Sequence, residues 1–414
     1  MVLPRSGCYK RHIVDKSTGS VKTCSGLQVS LSRINGVKQE LNASYEAFCP
    51  APLPPNPPLE LSSRMVALLV KATGCIRELD VRVQLTPNVE PFIAMLALKE
   101  ALMSSQIEGM AVTLEELLDP QREESTNPAV RAVVNNAAAT EFALQELKHA
   151  PLSNSLLKAT HAVLMHSVQG EPRNIGEFRT TQNWIGRRGS TLQNALYVPP
   201  APDDMQLTMD DLERYIHGDV PDDDLDVLIK AALIHYQFET IHPFIDGNGR
   251  MGRLLITLFL HEQRVISKPA LCISCFLKEY RREYYSHLME VRAAGHFERW
   301  GQFFLLALSE AAEDAIATIK VLVALRQQNR ALIAQSGRAA ARTLKVFDYL
   351  ERHPIIEIGK TAKALGLSFN TVASAVQWLV DKGILVPTTN FRRNRVFVYE
   401  DYLKILRTGT ELTR

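Results

Sequence analysis

Two helical stripes of apolar residues meet across a bend that neither helix could continue through. Val227, Ala231, Ile234, Phe238 and Ile241 recur at spacings of four, three, four and three, the pattern of one buried helical face. Met251, Leu254, Leu255 and Leu258 form a second stripe. Between them runs His242-Pro243-Phe244-Ile245-Asp246-Gly247-Asn248-Gly249-Arg250. Pro243 ends the first helix at or before His242, because the residue preceding a proline is pushed out of the helical region. The chain is thereby committed to a helix, a Gly-rich turn and a second helix. No strand precedes the turn and no GxxxxGK(S/T) run occurs, so this is not a P-loop.

A turn of this composition suits an anion. Gly247 and Gly249 permit positive φ and close approach of a ligand to the backbone. The helix that follows opens with unpaired N–H groups and the positive end of its dipole. Arg250 and Arg253 lie about one turn apart, so both guanidinium forks can face one phosphate group. Asp246 offers a hard oxygen to Mg²⁺, which binds through one or two carboxylates plus substrate phosphates. His242 stands at the mouth, with an ordinary pKa of about 6.5 that suits a general base. The plainer alternative is a Gly-rich connection between core helices with His242 as a turn residue. It leaves the joint presence of base, carboxylate, glycines and arginines unexplained.

Helical patterning extends over Ser62–Leu79, Pro91–Glu108, Asn127–Leu147, Leu225–Ile241, Met251–Arg264 and Glu298–Arg330. The main break, 173–202, gathers Gly, Asn and Pro around Trp184-Ile185 and Leu196-Tyr197-Val198, two short extended arms that suggest a hairpin turning at Arg187-Arg188-Gly189-Ser190. Residues 1 to about 45 lack sustained periodicity and are expected to be poorly ordered. Pro50-Ala51-Pro52-Leu53-Pro54-Pro55-Asn56-Pro57-Pro58 reads as a stiff polyproline arm. Beyond Gly337, short helices over Thr343–Glu351, Ile358–Leu365 and Ser368–Asp381, then a hairpin from Gly383–Val386 and Arg395–Tyr399, predict a winged helix-turn-helix.

A net charge of +2 over 414 residues argues against wholesale attachment to nucleic acid or membrane. No apolar run is long enough to span a bilayer, and the N-terminus lacks a signal-peptide core. The cytoplasm is the expected compartment. Six cysteines in a chain this long do not suggest a disulfide framework. Cys272 and Cys275 have CxxC spacing without a second pair or a neighbouring His, and are expected to be buried thiols. His161 and His235 lie in apolar helical segments and read as core residues.

The segment His242–Arg253 resembles the signature of the Fic/Doc family, HxFx(D/E)GNGRxxR, with every specified position filled. The resemblance covers about 45–414. It implies a mainly α fold: a Fic-type helical core with a small β-hairpin flap and a C-terminal winged helix-turn-helix. The implied division is 1–58, an N-terminal arm; 59–140, a helical region with an inhibitory helix; 141–334, the catalytic core; and 335–414, the winged helix.

The implied activity is transfer of AMP from ATP to a Ser, Thr or Tyr hydroxyl of a target protein, and onto the enzyme itself, with release of pyrophosphate. By that likeness His242 takes the proton from the hydroxyl and Asp246 holds Mg²⁺ on the α- and β-phosphates. Gly247, Asn248 and Gly249 cradle the phosphates, Asn248 through its side-chain amide. Arg250 stabilises charge on the leaving phosphates, and Arg253 holds the γ-phosphate. Ser104-Ser105-Gln106-Ile107-Glu108-Gly109 resembles the family's inhibitory motif (S/T)xxxE(G/N), with Ser104, Glu108 and Gly109 at the matching places. Gly109 is placed as a C-cap. Glu108 then sits where the helix dipole disfavours a carboxylate by roughly a few tenths of a kcal/mol. The resemblance implies that Glu108 pairs with Arg253 in place of the γ-phosphate. The flap, with Ile185, Tyr197 and Val198, would register a target segment as an added strand.

Two rival functions stay open at this point. One is hydrolytic removal of AMP at the same turn; the other is a transcription regulator that only senses a nucleotide. Residues 338–414 carry 13 Lys or Arg against 7 Asp or Glu, with Arg392, Arg393 and Arg395 in the expected wing. DNA could meet that wing, although the presumed recognition helix, Asn370–Asp381, lacks Arg and Lys. Protein contact or a homodimer is an equal alternative.

Overall fold

A computed structural model describes residues 12–14, 21–23, 25–30, 42–120, 127–166, 174–187, 189–220, 223–388 and 395–412. The N-terminal stretch is not featureless. β1 (His12–Val14) pairs with β2 (Val21–Thr23), and β3 (Ser25–Ser30) with β4 (Asn42–Glu46), both antiparallel. The β-branched and apolar runs Ile13-Val14, Val21 and Leu27–Val29 are too short to show as sustained alternation, which is why disorder was the expectation.

The helices follow in order: α1 (Ser63–Leu85), α2 (Glu90–Ile107), α3 (Leu114–Leu118), α4 (Pro128–Glu146), α5 (Asn154–Leu164), α6 (Pro202–Ile216), α7 (Val227–Ile241) and α8 (Asn248–Glu262). Then come α9 (Ile273–Glu279), α10 (Arg281–Ala294) and α11 (Phe297–Ala334). The chain ends with α12 (Ala340–Leu350), β5 (Ile355–Glu357), α13 (Ile358–Leu365), α14 (Phe369–Asp381), β6 (Val386–Pro387), β7 (Val396–Val398) and α15 (Glu400–Arg407). No described helix is long and apolar enough to cross a membrane. Packing divides the chain into two compact units, neither continuous in sequence: 1–70 with 141–263 and 281–306, and 71–140 with 264–280 and 307–414.

The first unit is built around α7. Its sequence predicted one buried stripe, yet Leu228, Ile229, Ala232, Leu233, His235 and Gln237 are buried as well. A helix this apolar on every side belongs inside, and α6, α8 and α10 pack against it. Trp300, fully buried at the start of α11, donates from Nε1 to Ala232 O at 2.8 Å. Burying each aromatic of this core contributes roughly 1.5–3 kcal/mol. The proline arm lies on the same unit: Leu53 is buried, and Gln237 Nε2 donates to Ala51 O at 2.8 Å.

In the second unit, α2 ends as its sequence predicted. Gly109 has φ +88°, its N–H reaches Gln106 O at 3.0 Å and Met110 N–H reaches Ser105 O at 3.2 Å, the paired bonds of a Schellman cap. Arg326 holds Glu351 with bonds of 2.6 and 2.9 Å, donates to Pro87 O at 3.0 Å and lies 3.9 Å above the Phe92 ring. Ser368 caps α14 by accepting from Thr371 N–H at 3.2 Å. The three strands here form one antiparallel sheet in the order β5-β7-β6. Of the three wing arginines, Arg392 and Arg393 lie outside the described residues. Cys272 and Cys275 are joined as a disulfide, which corrects the expectation of two thiols; spacing alone does not distinguish the two states.

Candidate active site

The turn between α7 and α8 is held by four separate devices. The first is His242 itself, which ends α7 in the left-handed region at φ 51°, ψ 60° and donates its N–H to Phe238 O at 2.9 Å. A β-carbon is strained there, so surrounding bonds must hold the residue in place.

Those bonds come from the second device, which caps the four carbonyls that α7 would otherwise leave unpaired at its end. Arg292 Nη2 donates to Glu239 O at 3.1 Å and Tyr197 Oη to Thr240 O at 2.6 Å. Arg179 donates through Nη2 to Ile241 O at 3.5 Å and through Nε to His242 O at 3.0 Å. Two guanidinium groups thus sit at the negative end of the helix dipole, where cations are favoured. Arg292 also stacks 3.9 Å above the Tyr197 ring.

Asn248 is the third. Its Oδ1 accepts from Phe244 N–H and its Nδ2 donates to Phe244 O, both at 2.8 Å. The amide therefore closes the loop on itself. The fourth is His161, stacked 3.8 Å from Phe244. Gly176 N–H donates to its Nδ1 at 3.1 Å, which leaves Nε2–H to donate to Asp246 O at 3.0 Å. Burial first, then the Arg250 charge, pulls this imidazole down to about 4, so it stays in the neutral form that the tautomer requires.

Gly247, at φ +76°, precedes α8. An added β-carbon would lie 3.0 Å from Met165 Sδ and 3.5 Å from Arg250 Nη2, so glycine is required on two counts. Gly249 is different: it lies inside the first turn of α8 and needs no left-handed φ, because the helix begins one residue after Gly247. Asp246 is exposed beside this helix start, with Oδ1 accepting from Gly247 N–H at 2.7 Å. Among the described residues no group of three His, Cys, Asp or Glu could hold a metal. A metal at this turn would therefore have Asp246 as its protein ligand and would draw the rest from phosphate and water.

Arg250 and Arg253 are both almost fully buried. Arg250 Nη2 contacts Met165 Sδ at 3.3 Å. Arg253 hydrogen-bonds to the Tyr284 hydroxyl. His235 holds that same hydroxyl at 2.9 Å through Nε2 and Gly252 O at 2.8 Å through Nδ1. Burial pulls His235 down to about 3. His242 is likewise drawn down to about 3, by burial and then by the charges of Arg292 and Arg179. Both rings are neutral near pH 7.

The expected flap hairpin reduces to a single antiparallel bridge, Ile185 to Tyr197, which encloses a 3₁₀ turn over Leu192–Asn194; Arg188 lies outside the described residues. Tyr197 and Val198 are buried, and Val198 O accepts from Phe48 N–H at 2.9 Å. The residues that sequence reasoning missed are Arg179, Arg292, His161 and Tyr284. Ser104, Glu108 and Gly109 belong to the second unit, with Ser104 buried and Glu108 at the cap of α2.

The sequence profile of the Fic/DOC family matches residues 151–260, and that of its N-terminal region matches 66–145. This chain carries a Fic/DOC domain. The Fic turn described above falls wholly inside the first match. Similar proteins include Protein adenylyltransferase Fic of Drosophila grimshawi, 34% identical over 133 residues that make up 32% of this chain and 24% of that protein. The Drosophila melanogaster protein of the same name is 32% identical over the same shares. The chain thus spans about a quarter of the length of these relatives. A crystal structure of a Fic family protein from Desulfovibrio desulfuricans matches 83% of this chain and 97% of its own, with a TM-score of 0.54 at 21% identity. That likeness shows the fold.

Proposed function

We propose that the chain is a protein adenylyltransferase that moves AMP from ATP to a Ser, Thr or Tyr hydroxyl of a target protein, and onto itself. The observation that carries this reading is the left-handed His242, held neutral beside a helix N-terminus that presents Asp246 on one side and buries Arg250 and Arg253 behind it. A neutral imidazole can accept a proton, and a polyphosphate drawn up to it would raise its proton affinity. His242 takes the proton of the acceptor hydroxyl as that oxygen forms a bond to the α-phosphorus. The bond from the α-phosphorus to the bridging oxygen breaks, and pyrophosphate leaves. The N–H groups at the start of α8 and the Arg250 charge meet the phosphates; positioning and fixed charge supply most of the rate. Asp246 would hold Mg²⁺, which supplies charge neutralisation on the phosphates.

Glu108 restrains the reaction in this reading, supported by the match of Ser104, Glu108 and Gly109 to the inhibitory motif and by the Schellman cap that fixes the end of α2. Residues 335–414 act as a winged helix, a reading supported by the order of three helices and an antiparallel sheet. The compartment is the cytoplasm. A nucleotide sensor has no use for a neutral imidazole at this point, which favours the enzyme over the regulator.

Incubating the Glu108→Gly variant with Mg²⁺ and ATP labelled at the α- or the γ-phosphate tests the reading. Label entering protein from the α-position alone is expected. Label from the γ-position would mean phosphoryl transfer and end the proposal.

A further inference from the structure

We propose that Arg179 is a positioning residue that locks the flap to the turn carrying His242, so that base and acceptor segment keep one register. The inference rests on the reading of that turn as an AMP-transfer site.

Arg179 precedes the flap and is about 1% exposed. Its guanidinium reaches four backbone carbonyls on three stretches of chain: His242 O at 3.0 Å and Ile241 O at 3.5 Å on the turn, Thr181 O at 3.3 Å on the entering arm, and Pro200 O on the leaving arm. Its own N–H donates to Pro243 O at 2.8 Å. Nearby bonds run the same way. Asn183 Nδ2 donates to Phe244 O at 2.9 Å, Gln182 Nε2 to Pro199 O at 3.0 Å, and Tyr197 Oη to Thr240 O at 2.6 Å. Both arms are therefore tied to residues 240–244, and the Arg179 side chain touches both arms and His242 together. A planar fork with five donors can bridge three directions at once; an ammonium on a flexible stem cannot hold that geometry.

The consequence is specific. His242 is strained at φ 51°, and the carbonyl that fixes its peptide plane is bonded to Arg179. Loss of the clamp frees the imidazole from the flap while leaving the α8 end of the turn, closed by Asn248 and His161, intact. Nucleotide binding should persist and transfer should fail.

The test compares Arg179→Gln and Arg179→Lys, each in full-length Glu108→Gly protein, with Arg214→Gln, an exposed α6 residue, as control. Single-turnover self-labelling from α-labelled ATP is expected to fall by about 100-fold in Arg179→Gln and about 10-fold in Arg179→Lys, with MgATP affinity within about 3-fold of the parent, the loss expected when a reacting group is misplaced by about an ångström. The ¹H–¹³C NMR signal of the His242 ring, assigned with His242→Ala, should be single in the parent and the control. It should broaden or split in both Arg179 variants. An unchanged ring signal, or a parallel loss of nucleotide affinity, overturns the inference. If the parent labels nothing, the transfer reading fails, and the ring signal still decides the role of Arg179. Arg179→Lys decides it if Arg179→Gln does not fold.

Discussion

Asn248 grips Phe244 at both of its backbone polar groups, N–H and C=O, through one side-chain amide at 2.8 Å each. This bond pair is how the asparagine between the two glycines closes the loop. Asn248→Asp keeps the acceptor and removes the Nδ2 donor, so the Phe244 carbonyl keeps the bond from Asn183 Nδ2 and loses the one from residue 248. The cost is about 0.5–1.5 kcal/mol, and it should appear as a drop of about 2- to 10-fold in MgATP affinity by calorimetry.

Gly252 packs where no side chain fits. A β-carbon there would lie 2.3 Å from Glu239 Oε1 and 3.1 Å from Phe238 Cδ1. Gly252→Ala should therefore cost about 1–3 kcal/mol through overpacking, read as a lower Tm. Gly249→Ala, inside α8, should leave Tm nearly unchanged.

Acid should loosen the first unit through His235. Its folded pKa of about 3 lies below the ordinary 6.5, so between those values the unfolded chain binds a proton that the folded chain excludes. Stability is therefore lost as pH falls from 6.5 towards 3, by about 2 kcal/mol for this one group at about pH 5. Replacing His235 by Gln should lower Tm at neutral pH but flatten its decline on acidification, measured by calorimetry across that range. An equally steep decline in the variant would remove His235 from the account.

Glu351 balances a buried charge in the second unit. Removing it as Glu351→Ala leaves Arg326 buried without that partner, at a cost of about 3–5 kcal/mol. Thermal unfolding should then show the loss, and Glu351→Gln, which keeps one acceptor, should recover part of it.

How much of this was legible in the sequence varies element by element. The α7–turn–α8 unit was legible because Pro243, Gly247 and two apolar stripes act locally. The cap of α2 was legible for the same reason, as Gly109 must follow a helix end. α6 and α10 went unread, although Pro202, Asp203 and Asp204 open the first and Tyr284, Leu288 and Val291 stripe the second. The flap was anticipated as a hairpin and is one bridge, since extended arms of two or three residues carry too little pattern to fix their pairing. Arg179 and Arg292 could not be found by spacing. They bond to carbonyls 53 to 63 residues away, and a carbonyl leaves no mark in a sequence. The disulfide of Cys272 and Cys275 was invisible for a related reason: the same spacing serves thiol, metal ligand and cystine.

The central claim is that His242 is the base at an AMP-transferring turn. Intact-mass spectrometry of the Glu108→Gly protein after incubation with Mg²⁺ and ATP tests it, alongside Glu108→Gly with His242→Ala. The account predicts a gain of one or more AMP units in the first and none in the second, with both proteins binding MgATP. AMP addition that survives loss of His242 would contradict it.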